Sequence, residues 1–198
     1  MKETKDFRFD KMALSYDGGF AGKLSKKFYK LLLNQIELHQ GAAVLDVGCG
    51  TGTILRNLGK IADIDGYGID IEENMIAEAK KKCPGMNICV SDCTDTPFDD
   101  KKFDATTACM SFHHFGDKNG FAKEAARTIK PGGCLYIADP RFPSVVRKPL
   151  NIALQIHKIS GYFGTPKEIE KIFAEYGFEL VDFAFDMYAQ CIKLKKGE

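Results

Sequence analysis

The sequence predicts a doubly wound α/β domain: a mostly parallel, seven-stranded sheet with helices on both faces and an antiparallel last strand. Three observations carry this. Short apolar runs alternate with amphipathic stretches from residue 43 to residue 139, the rhythm of strand–helix–strand units. Gly48, Gly50 and Gly52 follow the first of those runs, where the chain must reverse sharply from strand to helix. The last two runs, 178–186 and 187–195, are separated by a tight turn and no helix, so the sheet must end antiparallel.

The elements follow in order. Residues 23–38 place Leu24, Phe28, Leu31, Leu32 and Ile36 at helical spacing between lysines, an amphipathic helix that packs on or caps what comes next. Residues 43–47 are a short apolar run, as in a buried parallel strand. Helices are predicted at 51–61 and 72–82, and strands at 66–71 and 86–90. A fourth strand spans 103–110, and a helix over 117–129 is stopped by Pro131, Gly132 and Gly133. The fifth strand is 134–139. Thr165, Pro166 and Glu168 form a capping-box pattern with proline at the first helical position, so a helix starts there and ends at Gly177. Residues 140–164 fit no strand or helix of the alternation and read as a lid or acceptor segment. The whole chain reads as one domain, 1–198, with residues 1–40 as an N-terminal helical cap.

Composition excludes several classes. With 28 basic residues against 27 acidic ones, the net charge of +1 lacks the basic excess of a protein that grips a nucleic-acid backbone. Seven cysteines, none in a CxxC pair, and a charged start to the chain argue against a secreted disulfide framework, so a cytoplasmic protein with reduced thiols is expected. Cys83, Cys89 and Cys93 match no zinc spacing, and no metal is expected. No apolar run approaches the roughly 18 residues of a membrane-spanning helix.

The chemistry concentrates in residues 44–52, VLDVGCGTG. The glycines follow G-x-G-x-G spacing, unlike the G-x-G-x-x-G of dinucleotide binders. Asp46, inside the strand's end, would repel a pyrophosphate but suit an ammonium group. The ligand is therefore expected to carry a cationic amine and no phosphate, which weakens a nicotinamide-dehydrogenase reading. Asp70 falls about 20 residues further on, at the end of the second strand, where a carboxylate can accept hydrogen bonds from both hydroxyls of a ribose.

These residues resemble class I S-adenosylmethionine (SAM)-dependent methyltransferases, whose fold is Rossmann-like. Residues 44–52 resemble the first family motif and residues 66–71 the second strand. Residues 91–98 resemble the stretch that meets adenine, and residues 129–135 the approach to the fifth strand. Residues 9–17 resemble the N-terminal segment of the ubiquinone/menaquinone-biosynthesis (methyltransferase type 11) group. The resemblance implies SAM as cofactor and S-adenosylhomocysteine (SAH) as product. It makes Asp46, Gly48, Cys49, Gly50 and Gly52 cofactor-binding residues. It assigns Asp70 to the ribose hydroxyls and Asp92, with the Cys93 backbone beside it, to the adenine amine, and counts Ile71 and Met110 among the cofactor-binding residues. Cys93 stands where the family often has alanine. Tyr16 is expected to close over the cofactor, as aromatic rings commonly line such pockets.

Ser111, Phe112, His113, His114 and Phe115 follow the fourth strand, where family members face the methyl group. His113 is the candidate general base for an acceptor that is protonated near pH 7. The amino-methylating Asn/Asp-Pro-Pro-Tyr/Phe motif is missing there, since Met110, Ser111 and Phe112 occupy the position. The Pro-Cys nucleophile of pyrimidine C5 enzymes is missing too, since Cys134 follows Gly133. The expected function is methyl transfer to a small-molecule acceptor at O, N or C. The alternative is a SAM-binding regulatory or scaffold module without turnover.

Overall fold

The computed structural model describes residues 20–157 and 161–198. Its elements are α1 (Phe20–Gln35), β1 (Ala42–Val47), α2 (Thr53–Ile61), β2 (Ile64–Asp70), α3 (Glu73–Lys82), β3 (Asn87–Val90) and β4 (Phe103–Cys109). These are followed by α4 (Lys118–Thr128), β5 (Ile129–Pro140), α5 (Ser144–Ile156), α6 (Pro166–Ala174), β6 (Phe178–Asp186) and β7 (Ala189–Lys196).

The seven strands are ordered β3-β2-β1-β4-β5-β7-β6. All neighbouring pairs from β3 to β5 are parallel, and β7 runs antiparallel to both β5 and β6. The order reverses between β1 and β4. At such a switch point the connections leave in opposite directions and open a crevice at the carboxyl ends of the strands.

Period-two alternation along the strands builds two cores. Leu45, Val47, Leu135, Ile137, Ile192 and Leu194 face one side, where Phe121 of α4 and Phe173 of α6 pack on them. Val44, Tyr136, Ala138 and Cys191 face the other, against Phe28 and Leu32 of α1 and Leu58 of α2. The helices thus lie on both faces as the alternation requires. Full burial of rings such as Phe103, Phe112, Phe121 and Phe173 contributes about 1.5–3 kcal/mol each.

Two boundaries differ from the sequence expectation. β5 begins at Ile129, opposite Phe103, and the pairing resumes only at Ala105 with Cys134. Residues 130–133 therefore bulge out of the ladder without ending it, with Gly132 at φ 74°. Within residues 140–164, where no regular element was expected, the structure has α5. Thr165 does form the expected capping box: its hydroxyl accepts from Glu168 N at 3.3 Å, and Glu168 Oε2 accepts from Thr165 N at 2.8 Å. Among the described residues no helix is long and apolar enough to cross a membrane.

Candidate functional site

The turn after β1 is shaped by three left-handed glycines, Gly48 (φ 69°), Gly50 (φ 51°) and Gly52 (φ 77°). A Cβ on Gly48 would lie 2.5 Å from Ser111 Cβ, and one on Gly52 would lie 2.9 Å from Cys83 Sγ. These two glycines let the turn pack down onto its neighbours. Gly50 differs: a Cβ there would meet nothing within 4 Å, so this part of the backbone faces open space.

Asp70, at the tip of β2, fastens the turn. Its Oδ2 accepts from Gly50 N at 2.8 Å and its Oδ1 from Glu72 N at 3.0 Å. A carboxylate has about four acceptor positions, so two backbone bonds leave capacity for a diol. Burial raises the Asp70 pKa, and the N–H groups of Glu72 and Gly50 oppose that rise. Ile71 beside it is 67% exposed, an apolar side chain held in the open at the crevice.

Asp46 lies beneath the turn and is 2% exposed. Thr107 of β4 donates its hydroxyl to Asp46 Oδ1 at 2.6 Å. Burial pushes the Asp46 pKa up to about 7 against the Thr107 hydrogen bond, and the charge of Asp70 adds to the rise. Cys49 is buried between α2 and α3, and burial raises its thiol pKa well above the ordinary value.

Asp92 is exposed and closes an Asx turn, its Oδ1 accepting from Thr94 N at 2.8 Å and from the Thr94 hydroxyl at 2.7 Å. Those bonds lower its pKa. Cys93 is half-buried, and its thiol is pushed up to about 12 by burial and the neighbouring Asp92 charge. The loop that carries both is anchored to α4. Glu124 accepts from Thr96 N and Oγ1, and Arg127 holds the Phe98 carbonyl and Asp100.

The far wall is the end of β4. Met110 takes a left-handed conformation (φ 58°) that only a minority of non-glycine residues adopt, and its N–H bonds the Ala138 carbonyl at 2.8 Å. Ser111 donates its hydroxyl to the Val47 carbonyl at 2.8 Å, tying this wall to the glycine turn. A 3-10 turn, Phe112–His114, then buries His113. His113 Nδ1–H donates to Asp139 Oδ1 at 2.9 Å, and both side chains are nearly inaccessible to solvent. A carboxylate at Nδ1 fixes that proton and leaves Nε2 as the basic nitrogen. Phe163 stacks on the His113 ring at 5.4 Å, and Tyr162 N–H donates to the His113 carbonyl at 2.9 Å. His114 keeps an exposed edge. Desolvation on its other side, with the charges of His113 and Lys118, pushes its pKa down to about 4.

The structure thus gathers Asp46, Gly48, Gly50, Gly52, Asp70, Met110 and His113 at one edge of the sheet. Asp92 and Cys93 sit on the adjoining loop after β3. Tyr16 lies outside the described residues. Sequence reasoning missed Asp139 and Thr107. The signal for Asp139 was its place at the end of the fifth strand, the same kind of position that drew attention to Asp46. In the expected lid segment, α5 buries only Arg147, which grips Glu168 with two nitrogens at 2.6 and 3.1 Å. Its Val145, Val146, Ile152 and Ile156 point outward. Beside α6 an open groove of about 390 Å³ is lined by Leu180, Phe183, Phe185 and Arg141, among others.

A family model described as "Methyltransferase domain" matches residues 45–137. A demethylmenaquinone methyltransferase of Chlorobaculum tepidum is 32% identical over 164 residues, covering 81% of this chain and 66% of the relative. Phosphoethanolamine N-methyltransferase 3 of Arabidopsis thaliana is 29% identical, covering 91% of this chain and 37% of the relative. Among solved structures, a chain from the complex of the Haloferax volcanii Trm112 methyltransferase activator with a methyltransferase superposes with a TM-score of 0.83. That match is 20% identical and covers 99% of this chain and 100% of that one, a likeness of fold. With the glycine turn, the acid-tipped β2 and the 3-2-1-4-5-7-6 sheet, these matches show that the chain belongs to the class I SAM-dependent methyltransferases, of the ubiquinone/menaquinone type.

Proposed function

We propose that the protein transfers a methyl group from SAM to a small-molecule acceptor at O, N or C. The observation that carries this is the pairing, at one sheet edge, of an open glycine turn fastened by Asp70 with a buried His113–Asp139 pair. A module that only bound SAM would need the first and have no use for the second. The relatives' small-molecule acceptors support the same class, and the apolar groove beside α6 suits an apolar or aromatic acceptor body.

The residues present fit the cofactor. The Gly50 backbone opens onto a space no side chain fills, and Asp70 keeps acceptor capacity for a vicinal diol. Asp46 lies under the turn and favours a bound ammonium through its negative charge; in return the cation draws the Asp46 pKa below about 7. Ile71 offers an apolar surface to an adenine face, with Asp92 and the Cys93 backbone at its rim. Bound SAM supplies a methyl group on a sulfonium whose leaving group is a neutral thioether.

The chain's part is then to align, to exclude water and to move one proton. Alignment of reactants can account for about 7–11 kcal/mol of barrier lowering. His113 Nε2 takes the proton from a hydroxyl or ammonium acceptor, while Asp139 holds the ring's tautomer and balances the imidazolium charge. Calorimetric titration with SAM, SAH and NAD, followed by methylation assays on an acceptor panel, tests the proposal. SAM and SAH should bind and NAD should not. NAD binding without SAM binding, or SAM binding with no turnover on any acceptor, would count against it.

A further inference from the structure

Helix α5 is docked on the body in reverse. A globular helix ordinarily turns its apolar side to the core and its polar side to water. The single buried residue of α5 is Arg147, whose terminal nitrogens hold Glu168 at 2.6 and 3.1 Å and reach the Phe163 carbonyl at 3.2 Å. One turn on, the Asn151 side chain donates to the Phe163 carbonyl at 2.9 Å and accepts from the Phe163 N–H at 3.0 Å. At about 100° per residue, Val145, Pro149, Ile152, Ala153 and Ile156 fall within an arc of about 100° on the side opposite these two. All of them are exposed, Val145 by 81%, Ile152 by 57% and Ile156 by 70%. The helix is thus anchored by its polar side and presents an aliphatic ridge outward. An apolar patch of this kind, edged by polar groups, marks a surface that meets something other than water.

The charge of the region indicates what that is. Between Asp139 and Glu168 the sequence holds no acidic residue, although the chain has 27 of them. The same stretch carries Arg141, Lys148 and Lys167, all exposed and none in an ion pair among the described residues. Lys148 borders the ridge, about 40° round the helix from Ile152. A second copy of the chain fits poorly. In a two-fold contact of α5 on α5 each basic segment would face its like, with no carboxylate in either stretch to pair. The ridge also lacks the Trp, Tyr and Arg anchors that carry most of the energy of protein–protein contacts. Hydrocarbon asks only for apolar area, and anionic headgroups ask for unpaired cations beside it.

We infer that α5 is an interfacial helix that lays its Val145–Ile152–Ile156 ridge into the surface of an anionic lipid bilayer. Lys148 meets the headgroups, and the acid-free stretch around it draws the surface in. The 13 residues of α5 are too few to cross a bilayer, which takes roughly 20, so the helix lies in the plane of the surface. With one short ridge and a few cations, the attachment is reversible and sensitive to salt. It holds whether or not the crevice transfers methyl groups.

The test is co-sedimentation of the whole chain with extruded vesicles, of phosphatidylcholine alone or mixed with phosphatidylglycerol, at low and high salt. The parent should bind the mixed vesicles about tenfold more strongly than phosphatidylcholine alone, and salt should release it. Ile152→Glu should weaken that binding about tenfold and Lys148→Ala about fivefold. Val145→Ser removes apolar area without adding charge and should weaken it as well. Urea midpoints of the three variants should match the parent's, since each side chain is on the surface. Failure of the parent to bind the mixed vesicles would overturn the inference. Equal binding by the parent, Ile152→Glu and Val145→Ser would do the same, because another face would then carry the attachment. So would a parent dimer in sedimentation velocity that Ile152→Glu dissociates, since a second copy would then cover the ridge.

Discussion

Asp70 serves two purposes with one carboxylate, holding the Gly50 and Glu72 amides and facing the crevice, so its replacement should act on both stability and binding. Asp70→Asn keeps one carbonyl acceptor and should weaken SAH by about 1.5–3 kcal/mol, read by calorimetry. Unchanged affinity would reduce Asp70 to a loop fastener. Gly48→Ala meets both a left-handed φ and the 2.5 Å approach to Ser111, and should cost about 1–3 kcal/mol in urea denaturation. Asp46 gives a pH signature. Its folded pKa, about 7, lies above the unfolded value near 4, so between those pH values the folded protein holds a proton the unfolded chain has released. Its contribution is therefore full below about pH 4 and is lost as pH rises to about 7. Asp46→Asn should flatten that slope and be more stable than the parent at pH 8 without cofactor. Urea midpoints at pH 5 and pH 8 for both proteins check it. Asp46 and Asp70 were legible because each sits at a strand end beside glycines. Thr107 and Asp139 were not, because their partners, Asp46 on β1 and His113 in the turn after β4, come beside them only after folding.

The capping box at α6 was readable from Thr165, Pro166 and Glu168 alone, since its bonds span three residues. It also receives Arg147, so the α6 start doubles as the anchor of α5. Thr165→Ala should lower stability by about 1 kcal/mol, a shift of a few degrees in the melting temperature. Helix α5 itself was hidden. Pro149 sits inside it, without an amide hydrogen and against the usual helix rule, and Pro140 and Pro143 precede it. Its apolar residues share one side, but Val145, Val146, Ile152 and Ile156 on that side are exposed and the buried residue is Arg147. The β5 bulge was hidden for a similar reason. Pro131, Gly132 and Gly133 read as a break, yet pairing with β4 resumes beyond them.

Across the whole molecule, alternation gave the number of strands, their mainly parallel sense and the antiparallel finish. The order of strands needed the fold, since nothing local says that β4 returns to lie beside β1. The sheet centre is where that order places the most burial, and hydrogen exchange should follow it. Amides of β1, β4 and β5 should exchange last and those of α5 early, because α5 buries one side chain and is tied to the body through Arg147 and Asn151. Equal protection of α5 and β4 in a mass-spectrometric time course would contradict this ranking. The antiparallel β7 has a practical consequence as well. It runs from Ala189, beside Pro140 at the crevice edge, to Lys196, beside Phe178 at the opposite edge. Helix α1 runs the other way, with Lys27, midway along it, close to Asp186 and Gln35 bonded to Asp182 at its end. A dye, bead or surface tether attached after Lys196 therefore leaves the crevice mouth clear. Binding data collected with and without that attachment should agree for that reason alone.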